Sequence, residues 1–280
     1  MVKHKVVILG GRGMLGSDLT SACLDAGWDV QSLDLPEFDI TNSVHLAEAV
    51  GMGDCVVNCA AYTNVDKAES EYEIAYRINA AAVGELGRLA RQAGKWVLHI
   101  STDFVFDGQS PKPYSETDAP NPINAYGRTK LAGEQLLAQS GSRHCILRVE
   151  WSYGRAGDNF IKKIISRARK EGCLSVVEDQ RGAPTATTEA ARAICVLLAK
   201  RPVGCFHYAA AGQASRFEVA AFILDKLGID AELSPCKTAD FPTPAKRPLN
   251  SLFDCSKIEK LFEEPIVHWK IPLERFLEQL

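Results

Sequence analysis

Tyr126 and Lys130, four residues apart in Tyr126-Gly127-Arg128-Thr129-Lys130, fall on one face of a helix. A phenol beside an ammonium suits carbonyl reduction, because hydride arriving at carbon leaves the oxygen in need of a proton. Free tyrosine titrates at about 10, and a close ammonium stabilises the phenolate and moves that value toward working pH. The same lysine can hold a nicotinamide ribose. Upstream, His99-Ile100-Ser101-Thr102-Asp103 ends an apolar run, and Ser101 and Thr102 each offer a hydroxyl to a substrate carbonyl. Thr102 lies 24 residues before Tyr126. Tyr-x-x-x-Lys alone is common by chance, and its plain alternative is an exposed helix.

A second constellation begins ten residues into the chain, Gly10-Gly11-Arg12-Gly13-Met14-Leu15-Gly16. These glycines permit a tight turn and let backbone N–H groups approach a pyrophosphate at a helix N-terminus, where the dipole favours anions. Asp34 follows Gly10 by 24 residues, where an acid accepts from adenosine ribose hydroxyls and favours NAD. Arg12, inside the loop, favours the 2′-phosphate of NADP. The plain alternative for Asp34 is a turn cap before Pro36. The coenzyme stays open between NADH and NADPH at this point.

The elements that must position these groups follow from hydrophobic pattern. Lys5–Leu9, Asp29–Leu33, Asp54–Cys59, Trp96–Ser101 and Cys145–Val149 read as strands whose near-continuous apolarity suits a parallel sheet covered on both faces. Helical period predicts helices over about 15–26, 42–50, 70–93 and 125–140. The fold class is α/β, a Rossmann-type doubly wound parallel sheet with a smaller α/β substrate-binding lobe. Residues 1–150 form the expected dinucleotide-binding domain. Residues 151–280 are expected to form mainly the substrate lobe, with some segments returning to the first domain. Helices near 158–171, 187–199 and 216–228, strands near 174–177 and 204–208, and an irregular Pro-rich stretch, Phe241–Pro248, make up the second part.

Composition narrows the function classes. The 280 residues carry 32 Lys and Arg against 35 Asp and Glu, a net charge of −3, so no basic surplus exists to neutralise a nucleic-acid backbone. The apolar run after the N-terminus, Val6 to Leu9, is too short for a signal h-region. No apolar run approaches the ~18 residues of a membrane span. Nine cysteines without a Cys-x-x-Cys read as buried small hydrophobes in a reducing cytosol rather than as disulfides or a zinc site. A cytoplasmic α/β protein is the expectation.

Taken together, the glycine loop, Thr102, Tyr126 and Lys130 resemble an extended short-chain dehydrogenase/reductase. Within that group the chain resembles the dTDP-4-dehydrorhamnose reductase family over nearly its whole length. The resemblance runs through Val57-Asn58-Cys59-Ala60-Ala61-Tyr62-Thr63-Asn64-Val65-Asp66-Lys67-Ala68-Glu69, Ser101–Gly108, Tyr126–Glu134 and Trp151. It continues in Asp179-Gln180-Arg181-Gly182-Ala183-Pro184-Thr185 and Pro242–Ser251, narrower signals that select this family over the epimerases. It implies that Thr102 is the hydroxyl of a triad with Tyr126 as proton donor and Lys130 its partner. It implies that Asp39, Ile40, Cys59, Ala60 and Ala61 join the glycine-loop residues at the coenzyme, that Val65, Phe104 and Trp151 touch the sugar, and that Arg247 faces the nucleotide diphosphate. The implied reaction is NAD(P)H-dependent reduction of C4 of dTDP-4-dehydro-β-L-rhamnose to dTDP-β-L-rhamnose, by a monomer or homodimer.

The same resemblance leaves alternatives. Glu150 stands where a small or hydroxyl residue is expected; if it points into the cleft it repels a diphosphate or demands a different sugar. Another nucleotide-linked 4-keto-6-deoxy sugar is one alternative substrate. A non-catalytic regulatory subunit resembling the methionine adenosyltransferase β subunit is another reading, which the intact Thr102, Tyr126 and Lys130 disfavour. Some family members pair through magnesium; Asp18 matches one such position and Glu189 is displaced by one residue, so neither the metal nor that dimer is carried over. His99 and His207, in apolar runs, read as packed core residues.

Overall fold

The computed structural model describes residues 4–280; Met1, Val2 and Lys3, part of the N-terminal segment read above, lie outside the described residues. Strands β1 (Lys5–Leu9), β2 (Asp29–Leu33) and β3 (Cys55–Asn58) alternate with helices α1 (Met14–Asp25) and α2 (Ser43–Met52). Next come α3 (Tyr72–Tyr76), α4 (Ala82–Gln92), β4 (Trp96–Thr102), α5 (Ala125–Gln139) and β5 (Arg143–Val149). The later elements are β6 (Ser152–Tyr153), α6 (Phe160–Glu171), β7 (Cys173–Val177), β8 (Arg181–Gly182), β9 (Thr185–Ala186) and α7 (Thr187–Lys200). The chain closes with β10 (Gly204–Tyr208), β11 (Ala214–Ser215), α8 (Arg216–Leu227), β12 (Glu232–Cys236), α9 (Ser256–Glu259) and α10 (Lys270–Leu277).

The central sheet has the order β10-β5-β4-β3-β1-β2, and every pair in it is parallel. Its apolar strands are buried from both sides, as their composition requires. Leu19 and Cys23 of α1 and Ile194, Leu197 and Leu198 of α7 cover one face. Leu46 of α2, Val83 and Leu86 of α4 and Leu137 of α5 cover the other. A separate apolar cluster joins Ile161, Ile164 and Ile165 of α6 to Val219 and Ile223 of α8 and Leu273 and Phe276 of α10. Thus β10 and α7, although late in sequence, lie with the first sheet, while α6, α8 and α10 share their own core.

One sequence expectation needs correction, and one strand carries no sequence signal. The single helix expected over 70–93 is three pieces: α3, a π turn at Arg77–Ala81, and α4. The extra residue of the π turn aims Asn79 inward, where Oδ1 accepts from Tyr62 N at 2.8 Å and Nδ2 donates to Tyr62 O and to Thr129 Oγ1, both at 3.1 Å. The strand near 174–177 does not stand alone, because β7 pairs in parallel with β12, an element that the sequence pattern did not reveal. The cysteines also divide more finely than expected: Cys23, Cys55 and Cys145 are buried, Cys173 is exposed, and the other five are partly buried. All nine are free thiols. No helix among the described residues is long and apolar enough to cross a membrane.

Candidate active site

The strand order reverses between β1 and β3, and the chain leaves both strands at their carboxyl ends, where open α/β sheets bind ligands. There the glycine loop lies directly against Cys59 and Ala60. Gly10 has φ +76°, and a Cβ on it would stand 2.6 Å from Ala60 N. A Cβ on Gly16 would stand 2.1 Å from Gly10 O. Only glycine lets these backbones meet so closely; Gly10 N and Gly11 N donate to Leu33 O, Arg12 N to Asp34 and Gly13 N to Gly10 O, so the amides left to face the cleft are those at the start of α1.

A cleft of about 670 Å³ opens over this loop. Of the residues expected at the coenzyme, Gly10, Gly13, Met14, Leu15, Asp34, Asp39, Ile40, Cys59, Ala60, Ala61, Tyr126 and Lys130 line it, together with Thr102, Val65, Phe104 and Trp151. Gly16 acts behind the wall. Arg12 turns away: its guanidinium donates to Leu35 O at 2.6 Å and pairs with Glu37 at 2.9 Å, with its side chain 64% exposed. Asp34 accepts from Arg12 N at 2.7 Å and Leu35 N at 2.8 Å, so it caps the loop and also borders the cleft. Asp39 accepts from Thr41 N and Oγ1, and these bonds hold its carboxyl below the usual range. Burial raises the Cys59 thiol to about 12, which keeps it a neutral wall residue.

The reacting groups meet where β4 ends and α5 begins. Asn124 caps α5 by accepting from Gly127 N at 2.8 Å, and its Nδ2 donates to Lys246 O at 2.8 Å, tying the Pro-rich segment to the helix start. A Cβ on Gly127 would stand 2.1 Å from Phe104 O, so glycine lets α5 press against the turn after Thr102. Thr102 Oγ1 donates to Asp103 Oδ1 at 2.9 Å and accepts from Phe104 N at 3.2 Å. Asp103 is buried, takes a bond from Ser251 Oγ at 2.5 Å, and is raised above the usual carboxylate range by that burial. Ser101 and Thr102 both border the cleft, but the Ser101 hydroxyl already donates to Glu134 at 2.5 Å.

Among the described residues Lys130 makes no hydrogen bond to Tyr126. Its Nζ donates to Ile100 O at 2.7 Å and faces His99 Nε2 at 3.3 Å. Burial first, and the Asp103 charge second, push the Tyr126 phenol above its ordinary value, with Thr102 pulling the other way. Tyr126 is therefore a protonated phenol here, the form that can give a proton. Burial lowers Lys130 to about 8, opposed by the nearby charges of Glu134 and Cys59.

Beyond this centre lies a second cavity of about 310 Å³, which shares Phe104, Trp151 and Arg216 with the first. Arg247 lines only the second, where it pairs with Asp66 at 2.8 Å and donates to Ala245 O at 2.8 Å. Trp151 sits at φ +43°, its ring against Gly182, where a Cβ would come within 2.4 Å. Arg216, first residue of α8, lays its guanidinium 3.5 Å over the Trp151 ring. Among the described residues it forms no ion pair, and burial lowers it to about 10 against the pull of Asp103 and Glu150. Sequence reasoning missed Arg216, because only tertiary folding brings the start of α8 to the residue after β5.

Glu150 does not point into the cleft. It is 1% exposed, lines neither cavity, and neither carboxylate oxygen has a partner, although the Ala183 and Phe253 backbone lies near without closing a well-formed bond. Burial holds it well above the usual carboxylate range, with the Asp103 charge adding to the shift. The expected repulsion of a diphosphate is thereby removed. Asp18 accepts from Thr187 Oγ1 at 2.5 Å and Glu189 pairs with Arg192 at 2.9 Å. Among the described residues no group of three or more His, Cys, Asp or Glu could hold a metal ion. His99 and His207 are fully buried, as their apolar runs predict.

Known proteins are similar to this chain in sequence and in fold. A dTDP-4-dehydrorhamnose reductase of Salmonella typhimurium is 38% identical over 98% of this chain and 97% of its own length. The crystal structure of such a reductase from Bacillus anthracis, in complex with NADP, superposes with TM-score 0.95 at 33% identity and covers 100% of both chains. One from Clostridium acetobutylicum gives TM-score 0.94 at 35% identity over 98% of this chain and 99% of that one. The family described as RmlD substrate binding domain matches residues 4–280. With that match spanning every described residue, the chain belongs to the RmlD substrate binding domain family.

Proposed function

We propose that this chain is a NAD(P)H-dependent reductase that converts the C4 keto group of dTDP-4-dehydro-β-L-rhamnose to the hydroxyl of dTDP-β-L-rhamnose. The observation that carries the reading is the continuity of two cavities. Thr102, Tyr126 and Lys130 border the first, beside the glycine loop, and Phe104, Trp151 and Arg216 lead from it into the second. The names of the family relatives support the substrate.

The residues present fit a dinucleotide, because Gly10 and Gly16 leave backbone where any Cβ would collide. The first amides of α1 would hold its pyrophosphate, Asp34 its adenosine ribose, and Cys59 to Ala61 the nicotinamide side. When bound, the coenzyme supplies the hydride. Tyr126, held protonated by burial, gives its proton to the C4 oxygen. Thr102 must turn its hydroxyl from Asp103 to hold that same oxygen, a short rotation about one bond. Lys130 fixes the ribose and favours the negative charge left on Tyr126. Trp151 walls the sugar. Arg216, without an ion pair, and Arg247 receive the diphosphate, as guanidinium groups do in fork geometry.

In this reading residues 1–150 hold the coenzyme. Residues 151–280, apart from Thr187–Tyr208, which lie with the central sheet, build the substrate side. A cytoplasmic location and a monomer or homodimer belong to the same proposal.

The test mixes purified protein with NADH or NADPH and dTDP-4-dehydro-β-L-rhamnose freshly made by its epimerase. Loss of reduced-nicotinamide absorbance with formation of dTDP-β-L-rhamnose is expected. Bound coenzyme without turnover on this sugar, but with turnover on another 4-keto-6-deoxy nucleotide sugar, replaces the substrate. Bound coenzyme with no turnover on any such sugar removes the enzyme reading. Comparing the two coenzymes decides between the Asp34 carboxylate and the Arg12 guanidinium as the dominant influence at the ribose.

A further inference from the structure

Lys130 sits at the end of a buried hydrogen-bond chain whose direction can be worked out. Asn58 closes β3 and is the register partner of His99 on β4. Both are 0% exposed, and Lys130 is 2% exposed. Ala60 N donates to Asn58 Oδ1 at 3.0 Å, which fixes the orientation of the amide. Asn58 Nδ2 then faces His99 Nδ1 at 3.1 Å. An amide nitrogen only donates, so Nδ1 must accept. A neutral imidazole with an accepting Nδ1 carries its proton on Nε2. That N–H points at Lys130 Nζ, 3.3 Å away. An ammonium has three donors and no acceptor, so two donors would confront each other there. An amine accepts the bond with its lone pair and still donates to Ile100 O at 2.7 Å.

We propose that His99 is a positioning residue that holds Lys130 as an uncharged amine in the empty site, so that Lys130 takes up its proton as the anionic coenzyme arrives. The His99 imidazole cannot relieve the conflict by gaining a second proton, since it would then present N–H groups to two donors. Burial also holds it well below its ordinary value.

The other groups acting on this lysine are Cys59 beyond β3 and, on its own helix, Glu134, while Tyr126 of the same helix lines the same cleft. His144 on β5 acts on His99. Glu134 favours the ammonium, but Arg148 holds it through bonds of 2.9 and 2.6 Å and Ser101 through one of 2.5 Å, which spends much of its charge. His99 therefore decides the balance. Its consequence for turnover rests on the reductase reading above; the protonation of Lys130 in the empty protein does not.

Nitrogen NMR of ligand-free protein labelled at the lysine side-chain nitrogen, with the Lys130 signal identified by its loss in Lys130→Met, reads this directly. The wild-type signal is expected to titrate below the value of about 8 that burial alone sets, because the His99 bond lowers it further. In His99→Phe the midpoint rises by about one pH unit, the size of one net hydrogen bond. His99→Gln, whose amide can accept from Asn58 and donate to Lys130, keeps the wild-type midpoint. Proton uptake on adding NADPH at a pH just above the wild-type midpoint falls in His99→Phe and not in His99→Gln. A wild-type midpoint at the ordinary lysine value of about 10.4, or an unmoved midpoint in folded His99→Phe, overturns the proposal whatever the sugar assay returns. An upward shift with no reductase activity keeps it and removes the reductase reading alone.

Discussion

The two cavities are built by opposite means. The wall against Gly10 and Ala60 is main chain, pressed together at glycines, and the polar side chains beside it are spent on neighbours, as Asp34 is on Arg12 N and Leu35 N. The wall around Trp151 is side chain. Its tryptophan sits at φ +43°, its arginine has no ion pair, and the adjacent Glu150 is buried without a partner. Backbone amides and a helix dipole recognise a phosphate chain that is the same in every dinucleotide. Side chains can be exchanged one at a time, which suits a region that must choose among sugars. Stored strain and unsatisfied polar groups accordingly collect on the second side.

The sharpest way to break this contrast acts where the cavities meet. Tyr126→Phe removes the proton donor from both and is expected to lower kcat by about 10²–10⁴-fold. Coenzyme affinity, measured by fluorescence of the bound reduced nicotinamide, stays near wild type. Next in size, Arg216→Gln acts on the side-chain wall alone. Steady-state kinetics should show KM for the nucleotide sugar raised by about 10- to 100-fold, the loss of a charge-assisted bond, with KM for coenzyme unchanged. Gly10→Ala acts on the backbone wall alone. Its φ of +76° and the 2.6 Å approach to Ala60 N make a Cβ cost at least about 1–3 kcal/mol. Thermal unfolding should register that loss together with weaker coenzyme binding, whereas affinity for dTDP alone holds.

The smallest expected effect concerns Glu150. Its carboxyl is raised by burial, so the stability it contributes is present at low pH and is lost as pH rises through its folded-state value. Glu150→Gln removes the cost of keeping this carboxyl from ionising and should raise Tm at neutral pH, by about 2–4 °C for each kcal/mol recovered, and flatten the dependence of Tm on pH over that range. A lower Tm would mean that the carboxylate is doing structural work with Arg216.

Much of the backbone wall is readable from sequence because its signals are local. Parallel strands buried on both faces must be continuous apolar runs, and a loop that touches a neighbouring crossover must be glycine at the contacts. The order β1, Gly10–Gly16, α1 therefore shows itself, as does Tyr126 four residues before Lys130 on α5. The π turn at Arg77–Ala81 does not, since it exists for the partners Asn79 finds on Tyr62 and Thr129, 17 and 50 residues away. Arg216 is equally silent, being an ordinary first residue of a capped helix until Trp151 lies beneath it. The absence of a direct Lys130–Tyr126 bond has a related reason: spacing puts two side chains on one face but does not say that His99 and Ile100 will engage the Lys130 nitrogen first. Glu150 was legible as a departure, and its inward direction was not.

The central claim is that hydride reaches C4 of a nucleotide sugar while Tyr126 supplies the proton. Carrying out the reaction with reduced nicotinamide deuterated at its transferable position, and locating the label in the product by NMR, tests it most directly. One deuterium at C4 of dTDP-β-L-rhamnose, with Tyr126→Phe giving the same product far more slowly, is the predicted result. Coenzyme oxidation without deuterium at C4, or undiminished transfer in Tyr126→Phe, would contradict the account.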